Sequence, residues 1–173
     1  MTRTGRSALG AVLVFAAALL AFVPGIRTRV IWTRDEARTA LVIRKILETG
    51  EWSLTRMPGG VPSKKPPLYH WLAALVAQHG LDETTLRLLA AVGGAGAAAL
   101  TYLLGAQLAT PGVGLMAAAV LIGSPAFFQW ARIGRMETLL AFCFTLSLLG
   151  IARWLRRDGL VNGLVFGVGG SPL

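Results

Sequence analysis

The sequence predicts an all-α protein with several helical membrane spans, and three observations support this. Of its 173 residues, 54% are hydrophobic and only 14% are charged, against about 25% in a typical soluble domain. The apolar residues come in long runs that are nearly free of charge. The arginines and lysines, which give a net charge of +9, cluster at the ends of those runs, where lipid headgroups attract them. This distribution argues against nucleic-acid binding, which needs basic residues on one face.

Four apolar segments approach or reach the roughly 17–25 residues that a bilayer crossing takes. The first follows Arg3 and Arg6. Its length, and the lack of a small-residue cleavage site before Pro24, favour a retained span over a signal peptide. A fifth apolar run begins at about residue 160 and ends before spanning length, so we expect the chain to be the N-terminal part of a longer protein. The predicted spans are residues 7–24, 86–108, 112–129 and 138–155.

The predicted first loop, residues 26–80, contains two helices that do not span. Residues 34–48 place apolar side chains on one face and basic side chains on the other, which predicts an amphipathic helix able to lie along the membrane surface. Residues 68–77 follow two prolines and are too few to cross a bilayer, so we expect an interfacial or re-entrant helix.

The flanking charges predict the topology. Arg3 and Arg6 place the N-terminus in the cytoplasm, so the loop 26–80 lies outside. Two further spans bring residues 130–137 to the outside as well, provided that residues 68–77 do not cross. The nine basic residues of 26–65 do not fit the positive-inside rule, and we interpret them as having a local anionic partner.

Three acids are candidates for chemistry. Acids such as Asp35 and Glu36 at a helix N-terminus ordinarily stabilise the helix dipole. On the helical wheel, however, both project toward the apolar half, where a carboxylate without a partner is costly, and this favours a functional role. Glu137 lies between two spans together with Arg132 and Arg135. An ordinary basic loop with one salt-bridging acid is the alternative there.

Two lysines mark the edge of an apolar segment. Lys64 and Lys65 precede two prolines, and they are equally suited to anchoring in lipid headgroups or to holding the phosphate of a lipid-linked ligand. His70 and His79 lack the spacing of metal ligands on one helix face, so we expect them to pack or to lie at the interface. The sequence contains no pattern of a Ser–His–Asp triad or of a Cys/His metal site.

Four segments, in order, resemble the GT-C glycosyltransferases, and most closely the clan of the protein O-mannosyltransferases and the lipid A aminoarabinose transferase. The resemblance runs from about residue 31 to 158. Residues 32–38 (WTRDEAR) are similar to the element after the clan's first span, and residues 65–71 (KPPLYHW) to its "KPPL-aromatic-x-W" element. Residues 86–89 (LRLL) resemble the start of the next span, and residues 131–137 (ARIGRME) the "aR…RxD" element before a later one.

The resemblance implies a multi-span enzyme much longer than this chain. Such enzymes transfer a sugar from a polyprenyl-phosphate donor to an acceptor lipid, glycan or protein on the extracytoplasmic face. Asp35 takes the place of the clan's catalytic acid, acting as general base or positioning the acceptor. Lys65 takes the place of the lysine that holds the carrier phosphate. The further candidates are Glu36 and Glu137 as acids, and Lys64, Arg132 and Arg135 as phosphate ligands.

Three positions depart from the clan's pattern. Glu137 stands where Asp is usual, Met136 where Pro is common, and Lys64 where an acid is frequent. The last change would weaken a metal site, so the requirement for a divalent metal stays open. Because the later spans are missing, we expect this stretch alone to be inactive. The alternative function is a non-enzymatic helical membrane module, such as a transporter subunit or an assembly partner.

Overall fold

The computed structural model describes residues 3–27, 34–52, 66–80 and 83–157, and every regular element within these ranges is helical. The all-α prediction is therefore confirmed. A short 3₁₀ turn, Ala77–His79, follows the third helix. The helices are α1 (Arg3–Phe22), α2 (Arg34–Thr49), α3 (Pro67–Val76), α4 (Glu83–Leu108), α5 (Pro111–Gly123), α6 (Pro125–Trp130) and α7 (Glu137–Arg157).

Helix α4 lies at the centre and packs against α1, α5 and α7. Its contact surfaces consist largely of small residues, and Ala91, Ala95 and Ala98 are fully buried. At Gly93 the backbone of α7 comes so close that an added Cβ would lie 3.2 Å from the amide nitrogen of Leu139. Small residues allow helix axes to approach closely in membrane proteins. The Gly- and Ala-rich sequence of α4 therefore serves helix packing.

Two of the described helical stretches, Thr84–Leu108 and Glu137–Arg156, are long and apolar enough to cross a membrane. On α7 the large side chains of Leu140, Phe144 and Ile151 are more than half exposed. A soluble domain rarely exposes contiguous apolar surface of this kind, whereas a lipid-facing helix needs it. The chain is thus a helical membrane protein.

The segment predicted as one span, residues 112–129, forms two helices, α5 and α6. The break lies at Ser124, which has an extended backbone (φ −64°, ψ 120°) and is followed by Pro125 at the start of α6. Proline lacks the N–H that would continue the hydrogen-bond ladder of α5, and it disfavours helical geometry in the residue before it. A proline between two apolar stretches therefore divided a segment that hydropathy alone had joined.

The amphipathic helix α2 forms as predicted, but its apolar face packs on α3 rather than on lipid. Val42, Ile43 and Ile46 are buried together with Tyr69 and Ala73. The chain just after α2 is also joined to α3, because the indole nitrogen of Trp71 donates to the carbonyl of Trp52 at 2.8 Å. The helix pair α2–α3 consequently has its own small core beside the N-terminal end of α4, and the exposed basic side chains are Arg34, Arg38 and Arg44.

Candidate active site

Five segments meet at one end of the helical bundle. They are the residues just after α1, the first turn of α2, the first turns of α4 and α7, and the loop 131–136 that precedes α7. The loop 131–136 is short and follows α6, because α5 and α6 bring the chain back to this end of the bundle. This end holds all the predicted acidic candidates and both predicted loop arginines.

The guanidinium of Arg135 lies between two of the predicted acids. Its Nη2 atom is 3.4 Å from Asp35 Oδ2 and 2.5 Å from Glu137 Oε1, and its Nε also donates to Glu137 Oε1 at 3.0 Å. The three side chains are partly exposed, Asp35 the most at 35%. Residues about a hundred positions apart in the sequence thus form one charged group with two carboxylates and one guanidinium.

Glu137 contributes a second feature to this group. Within the described residues, its Oε2 atom is buried and accepts no hydrogen bond. A buried carboxylate oxygen without a donor is costly. The hydrogen-bonding capacity of this oxygen is therefore not used by the described residues.

Glu36, next to Asp35 in the sequence, is directed into the protein instead. It is 1% exposed and pairs with Arg87 on α4, which is 3% exposed. Arg87 Nε donates to Glu36 Oε1 at 2.7 Å and Arg87 Nη2 to Glu36 Oε2 at 3.3 Å. The backbone N–H of Gly134 also donates to Glu36 Oε1, at 3.3 Å. The remaining arm of the guanidinium, Nη1, donates to the carbonyl of Ile26 at 2.7 Å.

Arg132 is held apart from the acids. Its Nη2 donates to the carbonyl of Pro24 at 2.5 Å, and its guanidinium lies 5.1 Å from the ring centroid of Phe128, within the range of a cation–π contact. It therefore joins the chain after α1 to α6 at the rim of the same end of the bundle.

Tyr69 on α3 lies beneath the acids. Its hydroxyl donates to the carbonyl of Leu86 at 3.0 Å. Burial raises the pKa of Tyr69 well above its ordinary value, and the negative charges of Glu36 and Glu137 raise it further. The phenol is therefore a neutral donor at any physiological pH. Its neighbour His70 is fully buried, which agrees with the expected packing role.

Several predicted features lie outside the described residues: Lys64, Lys65, the side chain of His79 and the apolar run from residue 160. Among the residues that are described, no three His, Cys, Asp or Glu side chains are arranged to hold a metal ion.

The sequence reasoning assigned no role to Arg87 or Tyr69. A signal for Arg87 was present, since an arginine one turn inside an apolar helix requires an anionic partner. The identity of that partner, 51 residues away, depended on how α2 docks. Tyr69 carried no comparable signal, because an aromatic residue on a short apolar helix is ordinary core.

Comparison with known proteins agrees with the resemblance read from the sequence motifs. The profile of the dolichyl-phosphate-mannose-protein mannosyltransferase family matches residues 64–170. Over 156 residues the chain is 28% identical to an undecaprenyl phosphate-alpha-4-amino-4-deoxy-L-arabinose arabinosyl transferase from Pseudomonas savastanoi pv. phaseolicola (strain 1448A / Race 6). That alignment covers 82% of this chain but 28% of the relative, so the chain spans less than a third of the relative's length. No solved structure matches the chain significantly.

The family match takes in more than half of the chain, including α3, α4, the loop that carries Arg135 and the helix α7 that begins at Glu137. The chain therefore belongs to the dolichyl-phosphate-mannose-protein mannosyltransferase family of GT-C glycosyltransferases.

Proposed function

We propose that this chain forms the N-terminal part of a glycosyltransferase that moves a sugar from a polyprenyl-phosphate carrier to an acceptor on the extracytoplasmic face of the membrane. Family membership supports the reaction class, and the name of the relative supports a polyprenyl-phosphate-linked donor. The observation that carries the proposal is the meeting of Asp35, Arg135 and Glu137 at one end of the bundle.

Asp35 is the proposed general base. It is the most exposed carboxylate of the group, so an acceptor hydroxyl or amine can reach it, and Arg135 fixes the direction in which its oxygens point. The acceptor gives its proton to Asp35 and forms the new bond to the anomeric carbon. The bond from that carbon to the phosphate oxygen breaks, and the electron pair leaves with the phosphate. A positioned general base typically contributes about 10²–10⁴-fold to the rate.

Glu137 is proposed to help hold the acceptor. The side chain is 24% exposed, although its Oε2 atom is buried and has no donor within the described residues. A rotation of the carboxylate would let an acceptor with two polar hydrogens donate one to Asp35 and one to Glu137. The extra methylene of Glu, relative to the Asp usual in the clan, lengthens the reach of this group by about one carbon–carbon bond.

The donor phosphate requires cations that the acids do not already neutralise. Arg135 is shared between two carboxylates, so its charge is locally compensated and it is a weak phosphate ligand in this arrangement. We therefore assign the phosphate mainly to Lys65, with Lys64 beside it and Arg132 at the rim of the site. Cations that contact the leaving phosphate stabilise the negative charge that develops on it.

The test is the variant Asp35→Asn, made in the full-length protein encoded by the reading frame that contains this chain. We expect sugar transfer to fall at least 100-fold, because the amide keeps the shape of the side chain but accepts no proton. The measurement is transfer of radiolabelled sugar from undecaprenyl-phosphate-linked mannose or aminoarabinose in membrane vesicles. The amount of inserted protein should be unchanged.

A matched control is available on the same helix. Glu48→Gln also neutralises one acid of α2, but Glu48 is exposed and, among the described residues, pairs with Arg44 in the adjoining turn. This variant should transfer sugar at the normal rate. Full activity in Asp35→Asn, or an equal loss in both variants, would contradict the proposed role.

A further inference from the structure

The ion pair between Glu36 and Arg87 is the most deeply buried charged contact among the described residues. We propose that these two side chains are positioning residues for the reaction, and that they set the geometry between Asp35 and Arg135 without touching the substrate. The inference rests on the proposed function and assigns a role to Arg87, a residue outside the predicted site.

The pair joins four separate segments of the chain. Arg87 lies one turn into α4, and Glu36 in the first turn of α2. Arg87 Nη1 reaches the Ile26 carbonyl just after α1, and Glu36 Oε1 receives the N–H of Gly134 from the loop before α7. A guanidinium donates in a fixed planar fork. The two side chains therefore hold the four segments in one mutual arrangement.

The contact between Glu36 and Gly134 also fixes the backbone position of Arg135. A Cβ at Gly134 would lie 2.9 Å from the Cβ of Leu86 and 3.4 Å from Glu36 Oε1, so the loop backbone rests directly on the ion pair. Arg135 is the next residue, and its own N–H donates back to the Ile133 carbonyl at 2.7 Å. A shift of the pair therefore moves the backbone from which Arg135 extends.

The ion pair also fixes the direction in which Asp35 points. Successive residues of an α-helix point about 100° apart. Once Glu36 is fixed toward Arg87, the rotation of the first turn of α2 is fixed and Asp35 must point toward the loop. Asp35 and Arg135 are therefore placed by the same buried pair, one from each side.

A catalytic role for Glu36 is the competing interpretation. Both of its oxygens already accept hydrogen bonds, Oε1 from Arg87 Nε and Gly134 N and Oε2 from Arg87 Nη2, and the side chain is 1% exposed. A substrate group could reach it only after the pair had opened. A positioning role for Glu36 needs no such opening, because it operates while the ion pair with Arg87 is intact.

A double-mutant cycle separates the two interpretations. Glu36→Gln and Arg87→Met each leave one charge buried without its counter-charge, whereas the double variant removes both. Replacing a whole buried ion pair is commonly tolerated, while removing one partner is not. We expect kcat to fall about 100-fold in each single variant, as misplacement of catalytic groups by about 1 Å can cause. In the double variant we expect kcat to recover at least tenfold above both single variants, with an unchanged pH profile.

If Glu36 itself performed chemistry, the double variant would be no better than Glu36→Gln, and that result would overturn the proposal. Arg87→Lys offers a conservative comparison. It keeps the charge but not the planar fork, so its kcat should lie between those of the wild type and Arg87→Met. The exposed pair on the same helix supplies the matched control, since Arg44→Met combined with Glu48→Gln should leave kcat unchanged.

A second readout does not depend on transfer. Ile133→Cys, in a Cys143→Ser background, reports the position of the loop through its rate of reaction with a maleimide. We expect that rate to rise at least tenfold in each single variant and to return toward normal in the double variant. Unchanged labelling in both single variants would overturn the proposal. If the wild type transferred no sugar from the lipid-linked donors, the proposed function would fail, and labelling would still decide whether the pair holds the loop.

Discussion

Charge at the site end of the bundle is balanced between neighbouring side chains. Asp35 and Glu137 share one guanidinium at partial exposure, while Glu36 has its own guanidinium in the interior. Adjacent acids on one helix turn therefore have different environments. The partly exposed carboxylate of Asp35 is accessible from outside the protein, and the buried carboxylate of Glu36 is not. Chemistry is accordingly expected from Asp35, and stability and orientation from Glu36.

Tyr69 allows a prediction about pH at the same scale. Its buried hydroxyl donates to the Leu86 carbonyl, and a lost hydrogen bond of this kind costs about 1 kcal/mol. The pKa of Tyr69 is raised in the folded chain, first by burial and then by Glu36 and Glu137. The stabilisation is therefore complete below the unfolded tyrosine pKa of about 10. It is lost as the pH rises from there toward the folded value, because the unfolded chain ionises first.

Thermal unfolding in detergent tests this prediction for Tyr69→Phe. At pH 7 we expect the variant to be less stable by about 1 kcal/mol. Above pH 10 the difference in stability between wild type and variant should shrink. Unfolding then lets Tyr69 of the wild type ionise, which favours its unfolded state, whereas the variant has no group to ionise at this position. The result that would argue against a buried, raised-pKa hydroxyl is a constant difference from pH 7 to pH 11.

The sequence predicted Asp35, Arg135 and Glu137 as candidates, but not the contacts that hold them in place. They were candidates because charged residues beside apolar helices are rare and because their segments resemble motifs of the clan. The partner of Glu36 could not be predicted, because both Arg87 and the loop arginines were within reach of a helix whose docking was unknown. Tertiary packing determines the partner: the apolar face of α2 packs on α3, and this places Glu36 next to Arg87 on α4.

At the scale of helices, close contact through glycine determines how α5 packs on α4. A Cβ at Gly105 of α4 would lie 2.7 Å from the Cα of Gly114 in α5, closer than side chains approach backbone. The two glycines therefore face each other across the contact. This contact could not be assigned from sequence, since Gly-rich helices offer several faces for packing and hydropathy does not distinguish them.

The predicted variant at this scale is Gly105→Ala. The extra methyl group meets backbone, which cannot move aside as a side chain can, so we expect a loss of about 1–3 kcal/mol of stability. Gly150→Ala on α7 is the matched control, because an added Cβ there meets nothing within 4 Å. That change should be neutral or stabilising by up to about 1 kcal/mol, through better helix propensity. Unfolding in SDS or on heating measures both, and equal effects would refute close packing at Gly105.

At the scale of the whole molecule, the helix order places the candidate site at one end of the bundle and the α4–α5 turn at the other. The described helices return the chain to the site end after α5 and α6, and the turn between α4 and α5 lies at the other end. Outward-facing apolar side chains run along α1, α5 and α7 between those ends. If the bundle is embedded along this axis, the site end lies on one membrane surface and the α4–α5 turn on the other.

Cysteine labelling tests that orientation in intact cells, again with Cys143→Ser as the background. Gln78 follows α3 and Gln129 lies in the last turn of α6, and both positions are exposed near the site end. Cysteines at both positions should react with a membrane-impermeant maleimide added from outside. Ala109→Cys, exposed at the α4–α5 turn, should react only after the cells are opened. Because Asp35 and Glu137 contact the same guanidinium, labelling of Gln78→Cys and Gln129→Cys from opposite sides would be incompatible with this fold. Labelling of both only from inside would keep the fold and reverse the proposed sidedness of sugar transfer.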